Sequence, residues 1–191
     1  MNNMKKITWN SPVILGFALL SGIALIANLL TNGRANQLFF SVYRSSFSDP
    51  LAYLRMVTHV LGHASVQHYS NNMLIFLLIG PLLEEKYGSK KLLLVIVLVA
   101  LVTSIVHLLF NANTALLGAS GVVFAFILLA SITGSTKENE IPLTFIIVTL
   151  LYIGEQIYEV FFLRDNVSQL THIVGGVVGA LVGLYLRKDK S

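Results

Sequence analysis

Residues 92–136 read LLLVIVLVALVTSIVHLLFNANTALLGASGVVFAFILLASITGST, 45 residues without Asp, Glu, Lys or Arg. A bilayer core about 30 Å thick takes about 20 apolar residues as helix, so this single run holds two crossings. The polar stretch Asn111-Ala112-Asn113-Thr114 divides them. Outward from it, Ile7 to Gly33 is also uncharged and predicts a first helix over Pro12 to Leu30. Met56 to Leu83 predicts the second, Ile141 begins a fifth that Glu155 and Glu159 interrupt near its end, and Asn166 to Leu186 holds the sixth. The fold class expected is all-α, a polytopic bundle of six transmembrane helices, with residues 1–191 forming one membrane domain.

Composition agrees. Of 191 residues, 55% are hydrophobic and 12% charged, where soluble domains carry about 25% charged residues. A soluble chain this small has too much surface to cover with so few charges. Cysteine is absent, which excludes disulfide scaffolds, thiol catalysis and thiolate zinc sites. The net charge of +4 comes from basic residues at the ends and in short clusters. That pattern speaks for membrane topology and a lipid bilayer as partner, and against nucleic acid. The first apolar run is too long for a cleaved leader and is read as a retained span. With six crossings, one side collects Lys5, Lys6, Lys86, Lys90, Lys91, Lys137, Arg187, Lys188 and Lys190. The other collects Arg34, Arg44, Arg55 and Arg164. The excess places both termini in the cytoplasm, consistent with a bacterial cytoplasmic membrane. The loop from Arg34 to Arg55 carries Phe39, Phe40, Tyr43, Phe47 and Tyr53, and reads either as an interfacial segment or as an ordinary folded loop.

Polar residues inside such helices are costly and therefore informative. His63, His68 and Asn72 lie on the external half of helix 2, Gly118-Ala119-Ser120-Gly121 opens helix 4, and His172 opens helix 6 ahead of Gly175, Gly179 and Gly183. At about 1.5 Å per residue, Ser120 stands roughly 26 Å, His172 roughly 22 Å, His68 roughly 24 Å and Asn72 roughly 18 Å above the cytoplasmic face. They share one layer beneath the outer surface. Helices 4 and 6 are expected to be too short to span fully, so the chain before Ser120 must dip into the membrane, where irregular backbone survives only against protein or in a wet cavity.

A serine hydroxyl needs a base to become a nucleophile, and histidine is the usual one. Free N–H groups at a helix start can face an oxyanion. Gly118 and Gly121 are expected to leave room for substrate backbone. His68 and Asn72, four apart, share a helix face and can both donate. The Gly175, Gly179 and Gly183 stripe permits close helix approach. If its neighbour is helix 4, His172 meets Ser120, and Phe124 can pack on the imidazole. Singly, each feature has a plainer reading: an N-cap, a packing stripe, an interhelical donor. Their order, spacing and common depth favour hydrolysis.

These residues resemble the rhomboid family of intramembrane serine proteases. The matching features are His63-x4-His68-x3-Asn72, Gly118-x-Ser120-Gly121 and His172-x2-Gly175-x3-Gly179, with Arg55 before Thr58-His59 and Glu84 with Gly88-Ser89. The resemblance covers residues 51–186. It implies a catalytic dyad of nucleophile Ser120 and base His172, with an oxyanion hole from His68, Asn72 and the Ser120 N–H. It also implies transmembrane proteins as substrates, cut near the external face, and no cofactor or metal. Leu54 stands where many members have tryptophan, and Phe124 where tyrosine is frequent. Glu155 and Glu159 read either as a water-exposed interfacial pair or as a substrate-gating element.

Three other functions were weighed. Zinc hydrolysis would draw on His59 and His63, four apart, but Val60 breaks the His-Glu-x-x-His pattern. A cleavage-inactive client-binding relative would lack the serine or histidine kept here. A small transporter would be expected to carry inverted repeats, which the sequence does not display.

Overall fold

The computed structural model describes residues 7–46, 48–110, 114–132, 141–162 and 169–188, with side chains omitted for 155–162 and 187–188. Asn111–Asn113, Lys5, Lys6, Lys137, Arg164, Lys190 and the side chains of Glu155, Glu159, Arg187 and Lys188 therefore lie outside the described residues. Among those described, the chain is an all-helical bundle: α1 (Pro12–Leu30), α2 (Arg34–Phe39), α3 (Pro50–Thr58), α4 (Val66–Tyr87), α5 (Ser89–Phe110), α6 (Ser120–Ile132), α7 (Leu143–Phe162) and α8 (Gln169–Lys188). Six of these are the expected crossings, α2 and α3 being short elements of the first loop. The fold is that of a polytopic membrane helical bundle, and the protein is an integral membrane protein.

α6 stands at the centre, touching α4, α5, α7 and α8. It is apolar all round, as a helix with no water-facing side must be, and buries Val122, Val123, Ala125, Phe126, Leu128 and Leu129. A ring column ties three helices: Phe17 of α1 lies 4.7 Å from Phe76 of α4, which stacks at 5.2 Å on Phe126 of α6. α5 presents the stripe Leu92, Val95, Ile96, Val99, Ala100, Thr103, Ser104 and His107 to the core, a three-four spacing that turns polar only at its last turns. Large side chains such as Leu74, Leu78, Leu94, Leu150 and Leu181 point outward, the pattern of a lipid-facing surface.

Glu84 explains how α1 is fixed. Buried at 5% exposure within α4, its carboxylate accepts from the N–H groups of Val13 and Ile14 at 3.0 and 3.1 Å and from Ser89 Oγ at 2.7 Å. An anion thus caps the start of α1, whose first N–H groups lack intrahelical partners. Gly88, at φ +83°, turns the chain directly from α4 into α5.

Two expected boundaries move. Helix 2 begins at Val66, not near Met56: Thr58 ends α3, His59–Leu61 form a single 3₁₀ turn, and Gly62 is extended. A Cβ on Gly62 would strike the Phe40 backbone. Ser65 then caps α4, accepting from His68 N–H at 3.1 Å. His63 consequently lies before the helix, not on it. Helix 6 is not short: α8 begins at Gln169 and runs 20 residues, about 30 Å, so His172 sits within its first turn. α6 is described over Ser120–Ile132, and the residues that follow, 133–140, lie outside the described ones.

Candidate functional site

The segment 114–119 that delivers Ser120 is tied down from three sides. His107 Nε2–H donates to Thr114 O at 3.0 Å. Leu116 and Val42 exchange backbone hydrogen bonds at 2.8 Å, and Gly118 N–H donates to His59 O at 2.9 Å. Irregular backbone at this depth is thereby paired with protein, as its burial requires. Ser120 is the first residue of α6, partly buried.

The glycine stripe of α8 does lie against α6. A Cβ on Gly175 would meet the Gly121 backbone, one on Gly179 the Ala125 backbone, and one on Gly183 the Ile132 side chain. This contact leaves no room for side chains along the seam and brings His172 Nε2 to 2.8 Å from Ser120 Oγ. Phe124, one turn along α6, packs on the imidazole at 5.0 Å and on Tyr152 of α7 at 4.2 Å. Gly121, expected to leave room for substrate, is instead buried against protein: a Cβ there would meet Thr103 and Val99 of α5 and the Thr171 carbonyl of α8. Gly118 has a different part. Its φ of +122° disfavours any side chain, and a Cβ there would lie 2.8 Å from the His68 ring.

His68 and Ser120 are thus neighbours across Gly118, with the built Cβ position 3.9 Å from Ser120 Oγ. Ala64 N–H approaches His68 Nδ1 at 3.5 Å, which leaves Nε2, the atom toward Gly118, as the protonated nitrogen. Asn72 follows one turn later on α4. It is buried, and its Nδ2 has no hydrogen-bond partner, a donor held out of water with unused capacity. The layer inferred from residue counting brings Ser120, His172 and His68 to one place.

The partners of the supporting residues were not visible beforehand. His63, with no exposed surface, donates from Nδ1 to Leu61 O at 3.1 Å and sets its ring edge-on to His68 and Tyr69 at 5.0 and 5.4 Å. Its carbonyl accepts from Asn36 Nδ2 at 3.0 Å. Ser104 Oγ donates to Met56 O and so accepts from His59 Nδ1 at 3.2 Å. Of the pair weighed for zinc, His59 is engaged at both ring nitrogens, by Ser104 and Thr103, and His63 at Nδ1 only. His59, Thr103, Leu116, Gly118 and Thr171 wall a small cavity beneath Ser120.

Arg55, counted above as a topological charge, is instead interior at 2% exposure. It donates to Asp49 Oδ2 at 2.7 Å, Ser45 Oγ at 3.0 Å and Leu38 O at 3.3 Å, and stacks on Tyr43 at 4.6 Å. The first loop is therefore a folded unit organised around one guanidinium, with Phe39 and Tyr53 of its aromatics exposed. In return, the Arg55 guanidinium holds the Asp49 carboxyl below its usual range. The signal available in sequence was the six-residue spacing from Asp49 to Arg55, too generic to use alone.

Comparison with known proteins identifies the family. Rhomboid-related protein 2 of Mus musculus is 31% identical over 140 residues, covering 68% of this chain and 46% of that protein. Rhomboid-related protein 1 of Caenorhabditis elegans is 29% identical over 137 residues, covering 68% and 38%. Rhomboid protease GlpG of Haemophilus influenzae is 26% identical over 139 residues, covering 71% and 72%. The chain thus spans less than half the length of the first two relatives. The family model described as Rhomboid domain matches residues 50–189, the span that holds every residue of the site, and the chain belongs to the rhomboid family.

Proposed function

We propose that this chain is an intramembrane serine endopeptidase that cuts transmembrane segments of other membrane proteins. The observation that carries the reading is the 2.8 Å contact between Ser120 Oγ and His172 Nε2. The match to proteins named rhomboid protease supports it. In the proposed reaction His172 Nε2 removes the Ser120 proton as Oγ attacks a peptide carbonyl carbon. The oxyanion is met by His68 Nε2–H, Asn72 Nδ2–H and the Ser120 N–H. One such donor is worth about 3–4 kcal/mol of barrier. The C–N bond then breaks, the leaving amine takes the proton from His172, and an ester to Ser120 remains. Water, deprotonated by His172, hydrolyses that ester and restores the serine. Phe124 holds the imidazole plane throughout.

The whole of residues 1–191 is taken as one domain, with both termini on the cytoplasmic side of a bacterial cytoplasmic membrane, so the cut falls near the external face. Purified protein in vesicles should label with a fluorophosphonate and cleave a single-pass reporter. Both activities should vanish in Ser120→Ala and His172→Ala while the helical circular dichroism is retained. Reporter cleavage persisting in a folded Ser120→Ala variant would rule the dyad out.

A further inference from the structure

The first loop holds a second concavity, separate from the cavity under Ser120. Between residues 42–45, α3 and the last turns of α5 opens a groove of about 490 Å³. Its lining is dominated by Val42, Tyr43, Ala52, Tyr53, Met56 and Leu108. That volume lies in the range of formed small-ligand sites, about 300–1,000 Å³. The walls are fixed, because Tyr43 is held under Arg55 and Val42 is paired with Leu116.

Two arginines border the groove, and they differ. The Arg55 guanidinium is committed to Asp49, Ser45 and Leu38. Arg44 is exposed and enters no ion pair among the described residues. The groove is therefore a largely apolar slot whose lining holds, among the described residues, one exposed cation outside any ion pair. Leu109 and Phe110, at 70% and 71% exposure, follow Leu108 and carry the apolar floor onto the outer surface of the bundle. A ligand arriving from the hydrocarbon along Leu109 and Phe110 reaches this slot, and one with an anionic end finds Arg44.

We propose that this groove binds a bilayer glycerophospholipid, with an acyl chain against Met56 and Leu108 and the phosphate on Arg44. Charge complementarity and continuity with the lipid-facing surface select this occupant over a peptide. An anionic headgroup such as phosphatidylglycerol is favoured over a zwitterionic one. The groove shares Val42 with the pairing that holds the segment before Ser120, so the bound lipid would brace that segment.

The test uses the full chain carrying Ser120→Ala, so its outcome is independent of proteolysis. The protein is reconstituted in phosphatidylcholine vesicles containing phosphatidylglycerol with a photoactivatable acyl chain, irradiated, and its adducts mapped by mass spectrometry. Any lipid-facing residue gives a background, and Leu93 and Leu94, at 51% and 67% exposure on α5, measure it. Adducts at Met56 and Leu108 should exceed that background. They should fall about fivefold in Arg44→Glu, the loss expected for one cation–headgroup contact, and also fall in Ala52→Trp, which fills the slot. Arg44 is exposed, so its variant keeps the fold, and an unchanged thermal midpoint verifies this. Adducts at the groove no more frequent than at Leu93 and Leu94, or indifferent to Arg44→Glu, would overturn the proposal.

Discussion

Replacing Gly175 by alanine adds a single methyl group to the α6–α8 seam. The new Cβ would stand 2.9 Å from the Cα and carbonyl carbon of Gly121 and closer to its oxygen. Carbon pairs rest at about 3.5–4.0 Å, so the two helices must part by roughly 0.5–1 Å. Two energies oppose each other. Alanine gains about 0.8–1.0 kcal/mol of helix propensity over glycine, while forced overpacking costs about 1–3 kcal/mol. Backbone against backbone has no rotamer to yield, so overpacking wins and the thermal midpoint falls. His172 is three residues away on α8, and its 2.8 Å contact with Ser120 stretches beyond the hydrogen-bond range of about 3.2 Å. A misplacement of about 1 Å costs about 100-fold in rate, or about 2.7 kcal/mol. Cleavage of a single-pass reporter in vesicles reads the rate, and thermal unfolding in the same vesicles reads the packing. Gly154→Ala on α7 is the control, since its Cβ meets nothing within 4 Å; it should leave turnover unchanged and raise the midpoint slightly through helix propensity. A Gly175→Ala protein with wild-type turnover would refute the claim that close helix approach sets the Ser120–His172 distance.

Three further outcomes are expected. Glu84→Ala strips the cap from two N–H groups at the start of α1. At about 1–3 kcal/mol for a buried group left unpaired, the thermal midpoint should drop sharply, and a midpoint equal to wild type would contradict the capping role. Gly118→Ala forces a side chain into φ +122° and against His68. It should cost about 1–3 kcal/mol of stability and lower kcat more than it raises KM, whereas an unaltered kcat would separate Gly118 from the site. The Asp49 carboxyl is depressed by its hydrogen bond to Arg55. Its contribution to stability is therefore complete above the ordinary carboxylate pKa of about 3.9 and is lost as pH falls through the lower folded value. Asp49→Asn should be less stable at neutral pH and show a flatter unfolding profile toward pH 3, and parallel profiles would reject the pairing.

What could be read beforehand follows from how each interaction is encoded. The crossings were legible because a hydrocarbon solvent tolerates so few charges that length and composition fix the spans; α1 and α5 fall where the uncharged runs place them. The Ser120–His172 meeting was legible in outline, because a glycine every fourth residue marks a close approach and residue counting supplies depth. The start of α4 was not legible. His59 to Ala64 carries no charge to mark a boundary, and the extended Gly62 is held against the Phe40 backbone while the His59 carbonyl pairs with Gly118 N–H.

The sequence by itself determined the solvent and the number of spans, since these depend on local composition and on a helical rise that neighbours do not alter. Tertiary structure alone decided which partner each polar group found. Arg55 turned inward to organise a loop, Glu84 capped a helix some 70 residues earlier in the chain, and His63 settled behind His68. The physical reason is that a buried charge or ring nitrogen is satisfied by whatever the fold brings within about 3 Å, and that neighbour is set by packing rather than by position along the chain.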